Sequence, residues 1–336
     1  MAINIAIVGL GMIARNHHLP NILANPNYKL TAIVEPTLNN YENVPVYHSQ
    51  AALFAAHPEV KAVALCTPPR IRMQLAVEAL RANCHVLLEK PPAETMAEFE
   101  MIKDEAILSG TSLFATWHSQ YNEAVFKCRD LLAKKIQAGG YITSLFVHWK
   151  ENVGVHHPGQ DWLFAQGGFG VFDHGINAFS VLRAILPQKI WIKAATLETP
   201  MNRDCSIRAL IHVGIQGSPG QYDQIDNAFR IELENLYEAS GPCWEITLTT
   251  DDGTKFKLHE SASRLRVGDK EIRVKHYPHL TNEYKLIYQR FHELILSGKS
   301  DIDAWPLQFC ADACLMAKHQ DAPDYHWPTT PPYIFP

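Results

Sequence analysis

Four groups of residues in this chain have types and spacings that do chemistry. Gly9-Leu10-Gly11-Met12-Ile13-Ala14 is a G-x-G-x-x-A turn directly behind the apolar residues Ile3, Ile5, Ile7 and Val8. The first glycine permits a sharp turn, the second lets a pyrophosphate approach the backbone, and the small Ala14 lets helix and strand pack closely. The helix opening at Met12 and Ile13 then offers free N–H groups to phosphate. Glu35 closes the next apolar run, 28–34, where a carboxylate would accept hydrogen bonds from ribose hydroxyls and repel a 2′-phosphate. Pro36, Thr37 and Leu38 follow without an arginine, so NAD is favoured, with NADP as the second choice. In His85-Val86-Leu87-Leu88-Glu89-Lys90-Pro91-Pro92 a short apolar strand stops at two prolines, which cannot extend a sheet ladder. Lys90 would point into the crevice at the carboxyl end of the sheet, near the nicotinamide half of a dinucleotide, and Glu89 and Lys90 are both expected among the cofactor-binding residues. Asp173 and Asn177 lie four apart on one helix face. An aspartate near a helix start also reads as a cap or a dipole partner, and the residues alone leave that choice open.

The elements that must hold these residues alternate strand and helix through the first third. Helical patterns fall at 49–56, 71–82 and 95–109, and strand patterns at 62–66, 85–88 and 113–116. Such alternation predicts an α/β fold with a doubly wound parallel Rossmann sheet. Thr67-Pro68 ends one of these strands on the same edge as the glycine turn. After Thr116 the pattern changes. Helices are expected at 121–135 and 171–186, with a polar, histidine-rich loop over 151–160. Gly167-Gly168-Phe169-Gly170 would let the second of these helices start close to other backbone. Strands at 141–150, 190–196, 206–214, 228–237, 245–250, 254–258 and 264–267 predict an open, largely antiparallel sheet. Helices at 281–297 and 306–318 precede a proline- and aromatic-rich tail. The expected domains are 1–118, dinucleotide-binding, and 119–336, substrate-binding and oligomerising, with C-terminal helices able to pack back on the first.

The 336 residues carry a net charge of −5 with no run of like charge, which argues against nucleic acid or an anionic membrane as partner. The apolar start lacks a basic flank and is too short for a signal peptide or a membrane span. Seven cysteines without C-x-x-C spacing suggest reduced thiols in a cytoplasmic protein and no metal site, although Cys310 and Cys314 share a helix face.

Gly9-x-Gly11-Met12-x-Ala14, Glu89-Lys90-Pro91 and Asp173-x-x-x-Asn177 together resemble the glucose–fructose oxidoreductase/inositol dehydrogenase (Gfo/Idh/MocA) family over nearly the whole chain. Residues 115–121 and 167–178 are similar to its bacterial D-galactose/L-arabinose 1-dehydrogenase branch. The resemblance implies oxidation of an aldopyranose at C1 to the lactone, with Asp173 as proton acceptor and Lys90 as its partner at O1. Which of the two is the base stays open. Asn177 stands where many relatives carry histidine. The resemblance also implies that His118 and Glu151 contact sugar, and that His156 and Tyr237 replace tryptophans. A homo-oligomer covering the open sheet is expected on the same ground. Two other readings remain: an oxidoreductase acting on an inositol or another sugar, and a non-catalytic regulator that senses NAD or sugar on the same fold.

Overall fold

The N-terminal apolar run forms β1 (Ile3–Val8), the first strand of a six-stranded sheet in a computed structural model. The structure describes residues 2–220, 222, 225–236, 241–275 and 280–327. The chain divides into two units, Met1–His118 with Leu280–Ala304 and Ser119–His279 with Trp305–Pro336.

In the first unit β1 is joined by β2 (Tyr28–Val34), β3 (Val46–Tyr47), β4 (Ala62–Leu65), β5 (His85–Leu88) and β6 (Leu113–Ala115) in the order β3-β2-β1-β4-β5-β6. Every pairing is parallel. Strands covered on both faces need continuous apolar sequence, as in Ala-Val-Ala-Leu of β4 and Val-Leu-Leu of β5. The strand order reverses between β1 and β4, which opens the ligand crevice of such sheets at their carboxyl ends. Gly9 and Thr67 flank that point, with Glu35 beyond β2 and Glu89-Lys90 beyond β5. The helix Met96–Ser109 starts at a capping box between Thr95 and Glu98 and ends at Gly110 in the left-handed region. The helix Thr281–Ser297 belongs to this unit and buries Tyr284, Ile287, Tyr288, Phe291 and Leu294 as one stripe. Each such burial stabilises by roughly 1.5–3 kcal/mol. The two-residue β3 was not expected, being too short to leave a periodic signal.

The second unit holds a nine-stranded sheet. Its members are β7 (Ile142–Lys150), β8 (Ile190–Pro200), β9 (Arg208–Ile215), β10 (Phe229–Glu234), β11 (Cys243–Thr250), β12 (Lys255–His259), β13 (Arg264–Val267), β14 (Lys270–Ile272) and β15 (Ala317–Ala322). The order is β14-β13-β12-β11-β7-β10-β9-β8-β15. Only β7–β10 and β8–β15 pair in parallel, so the sheet is largely antiparallel. Alternation along β7 buries Leu145, Val147 and Trp149, while Phe146, His148 and Lys150 on the other face stay half-buried. The helix Phe172–Ile185 lies close to the sheet because Gly175 has no Cβ; one added there would stand 2.5 Å from a methyl of Leu233.

Two expectations are corrected. The last helix is Trp305–Leu315, not 306–318, and the chain continues as β15 along the edge of β8. Ala-Lys-His-Gln-Asp-Ala has no apolar alternation, so its strand state comes from pairing rather than from burial. Residues 151–160 are not all loop: Val153–His156 forms one helical turn, with the Asn152 side chain accepting the Gly154 N–H at 2.9 Å. Among the described residues no helix is long and apolar enough to cross a membrane.

Candidate active site

In the first unit the glycine turn is shaped for close approach. Gly9 has φ +87°, and a Cβ there would meet Thr67 Cγ2 at 2.9 Å and Thr67 N at 3.1 Å. Gly11 faces open space within 4 Å, the cradle a pyrophosphate needs, and Met12 is exposed at the helix opening beside Ile13. The Thr67 hydroxyl is buried with no hydrogen-bond partner among the described residues, at the start of the crevice. An open glycine cradle and an unsatisfied hydroxyl fit a dinucleotide held by Gly9, Gly11, Met12, Ile13, Thr67 and Pro68. Gly9→Ala is expected to lower stability by about 2 kcal/mol through backbone strain and the Thr67 clash, read as a lower Tm together with weaker NADH binding.

Glu35 is preorganised at the end of β2. Its Oε2 accepts the Leu10 N–H at 3.0 Å, and its Oε1 accepts the Thr37 hydroxyl at 2.8 Å and the Thr37 N–H at 3.2 Å. Partial burial pushes its pKa up, but these bonds and the Arg15 charge outweigh that and hold it below the usual carboxylate value. Arg15 is a residue that reading forward from Glu35 missed. It comes from the turn after the glycines, bonds the Leu10 carbonyl through Nε at 2.9 Å, and lies 5.3 Å over the Tyr41 ring.

Lys90 is half-buried beyond β5, and the chain around it is fixed by buried polar groups. The Arg72 guanidinium, 2% exposed, donates to the carbonyls of Thr67, Glu89 and Pro91. Glu89 is 3% exposed and bonded to His18, Tyr284 and Thr116. Burial alone would raise its pKa, but His18, His118 and Tyr284 hold the carboxyl well below the ordinary range. Burial disfavours charge on His18, yet Cys66 and Glu89 reverse this and lift it to about 10. His118 is buried, stacked on Tyr284 with ring centroids 6.0 Å apart.

In the second unit His157, which sequence reasoning passed over, joins Asp173 and Glu151, its neighbour His156 packs on Trp244, also passed over, and Asn177 follows Asp173 one helical turn on. Asp173 and Glu151 are each 4% exposed. His157 Nε2 stands 3.4 Å from Asp173 Oδ2 and 3.9 Å from Glu151 Oε1. His174 bonds the Trp149 carbonyl through Nε2 at 3.0 Å and turns Nδ1 toward Glu151, 4.0 Å away. Asp173 is not the cap residue of its helix: that position is Val171, which makes no side-chain capping bond. The amide oxygen of Asn177 is buried without a partner among the described residues. His156 packs against Trp244 at 5.4 Å, and Trp244 against Trp149 across the β7–β11 pair at 6.3 Å. Burial first, and the neighbouring His157 second, push the His156 pKa down to about 4, so this ring is neutral near pH 7. The glycines before the helix serve close packing, since Cβ atoms at Gly168 and Gly170 would strike the carbonyls of Trp162 and Ser206 at 2.3 and 2.5 Å. Tyr237 lies outside the described residues. Among the described residues no group of three or more ligating side chains could hold a metal ion.

A parallel sheet in this strand order, with a glycine cradle and the Glu35 carboxylate at the carboxyl ends of its strands, has the layout of a dinucleotide-binding Rossmann fold. The sequence profile of the Gfo/Idh/MocA oxidoreductase family, described as having an NAD-binding Rossmann fold, matches residues 3–116. Galactose 1-dehydrogenase of Pseudomonas fluorescens is 32% identical over 318 residues, covering 93% of this chain and 94% of that one. The crystal structure of D-galactose-1-dehydrogenase from Rhizobium etli is 38% identical, covers 97% of this chain and 98% of its own, and superposes with a TM-score of 0.82. A variant of the 3-ketoreductase KijD10 of Actinomadura kijaniata, solved with TDP-benzene and NADP, shares the fold at a TM-score of 0.75 and 17% identity, over 96% of this chain and 100% of its own. The chain belongs to the Gfo/Idh/MocA oxidoreductase family.

Proposed function

We propose that this chain is an NAD-dependent aldose 1-dehydrogenase that oxidises an aldopyranose of the D-galactose or L-arabinose type at C1 to the lactone. The observation that carries the reading is the buried Asp173 carboxylate, set beside His157, Glu151 and the unsatisfied Asn177 amide in a chain similar to galactose dehydrogenases along almost its full length. A polyhydroxylated ring satisfies such a wall, because each hydroxyl both donates and accepts. In this reading Asp173 accepts the O1 proton, and Lys90 holds O1 and stabilises the negative charge that develops there. Asn177, Glu151, His156 and His118 bind the remaining hydroxyls, and neutral His156 with Trp244 presents an aromatic edge to the ring. NAD, when bound, supplies the electrophilic carbon that takes the C1 hydrogen as hydride.

The test is an aldose panel run with both cofactors, following NADH and NADPH. D-galactose or L-arabinose should give the highest kcat/KM, and absence of turnover with every aldose would reject the assignment. A regulator on this fold would bind NADH and turn over nothing.

Glu35 supports the choice of NAD. In this reading its carboxylate repels a 2′-phosphate, and the nearby Arg15 charge becomes available once that carboxylate is gone. Glu35→Ser is expected to move the ratio of kcat/KM for NAD over NADP toward NADP by about tenfold or more, the weight of one unfavourable charge contact. An unchanged ratio would remove Glu35 from cofactor discrimination.

A further inference from the structure

We propose that His18 and Tyr284, acting through the Glu89 carboxylate, are positioning residues for Lys90. The inference rests on the role given to Lys90 above. Its physical basis is the bonding around Glu89, all of it inside the first unit. Oε1 takes the His18 Nε2 at 3.0 Å and the Tyr284 hydroxyl at 2.7 Å, with the Thr116 hydroxyl at 3.1 Å. Oε2 accepts the backbone N–H of Lys90 itself at 3.0 Å. His18 is in turn braced by the Tyr288 hydroxyl at 2.7 Å, and its ring meets the Tyr284 ring edge-on at 4.8 Å. Each of these groups is buried: His18, Tyr284 and Tyr288 are inaccessible to solvent, and Glu89 nearly so.

An ionised carboxylate in such surroundings is costly to bury, and apolar side chains of equal volume often give the same or greater stability. Stability alone therefore does not explain why the group sits here. Its location does: it is the residue immediately before Lys90, where β5 has ended and the last ladder bond runs from the Glu89 N–H to the Leu65 carbonyl at 3.1 Å. Arg72 fixes the carbonyls on either side of Lys90, and Glu89 fixes its N–H. Together they leave the Lys90 side chain to leave the backbone in one direction. The supports come from distant sequence, His18 from the segment behind the glycine turn and Tyr284 from the helix Thr281–Ser297. The same network thus ties the phosphate-binding turn to the lysine. A reacting ammonium displaced by an ångström loses much of its effect, so loosening this carboxylate should slow the reaction without releasing the cofactor.

The test uses Tyr284→Phe, which keeps the ring and deletes one hydroxyl, in the full-length protein. It is expected to lower kcat about tenfold with the KM for NAD changed less than about threefold. In a Lys90→Ala background the same substitution should add no further loss, because its effect passes through the lysine. A full kcat in Tyr284→Phe, or an equal loss on both backgrounds, would overturn the proposal. His18→Gln should follow the same pattern; should that variant fail to fold, Tyr284→Phe still decides. A second readout needs no turnover. Reductive methylation with isotope-labelled formaldehyde gives each lysine an NMR signal, and Lys90 is identified by its loss in Lys90→Ala. That signal should shift in Tyr284→Phe while those of distant lysines stay, and an unmoved Lys90 signal also overturns the proposal. A wild-type chain inactive on every aldose would instead sink the assigned reaction and leave this readout to judge the positioning.

Discussion

Lys90→Ala is expected to lower kcat for the aldose about a thousandfold, with kcat/KM falling in step and NADH affinity nearly unchanged. The size follows from the two tasks assigned to one ammonium. It holds O1 in line for proton removal, and it offsets the charge that grows on that oxygen as the C1–H bond breaks. Charge stabilisation of this kind at a preorganised donor accounts for about 3–4 kcal/mol in other enzymes, which is two to three powers of ten. Cofactor affinity should survive, because dinucleotide binding is assigned in this proposal to the glycine cradle, Thr67 and Glu35, at other points of the sheet edge. Alanine at this half-buried, post-strand position breaks no core packing, so Tm should move little. Steady-state rates with NADH titration by fluorescence separate these effects. A rate within about threefold of wild type would take Lys90 out of the chemistry.

Asp173→Asn should be nearly as damaging, again about a thousandfold in kcat. The amide has the volume of the carboxyl and can keep contact with His157, so the buried site is not emptied. What disappears is a group able to take a proton. The KM for the sugar should change much less than kcat, since an amide still hydrogen-bonds a hydroxyl. Near-normal turnover would pass the role of base to another acceptor, with Glu151 as the next buried carboxylate of the same cluster. Combining Asp173→Asn with Lys90→Ala should cost less than the product of the single losses, as residues that act on one proton do not add.

Much of the dinucleotide half was legible from residue order alone, because its signals are local. Parallel strands are apolar on both faces, the turn needs Gly9 at a positive φ, and Glu89-Lys90-Pro91 ends a strand by removing an N–H. The helix expected at about 281–297 is found at Thr281–Ser297, where its apolar stripe is regular, and the structure shows Gly298 as its left-handed cap. The expectation that the glycine-rich approach to Asp173 serves close backbone contact has a concrete cause in Trp162 and Ser206. What escaped was set by partners far along the chain. β15 is a strand only because the edge of β8 accepts it. Arg15 approaches Glu35 across the sheet edge, where counting residues after Glu35 could not find it. His157 looked like one of several histidines in a polar loop, and only the turn at Val153–His156 brings its ring to Asp173 and Glu151. Trp244 falls just before the strand expected at 245–250, and nothing marks it until its cross-strand neighbour Trp149 and His156 are known.

The most direct measurement of the central claim is a transfer experiment with D-galactose, or L-arabinose if it is the better substrate, carrying deuterium at C1. The account predicts that all of the label leaves the sugar, that it is recovered in the reduced nicotinamide ring, and that the product is the unlabelled lactone, formed more slowly than from the ordinary sugar. Reduced cofactor free of deuterium, or a product that keeps the label at C1 while another carbon is oxidised, would contradict it.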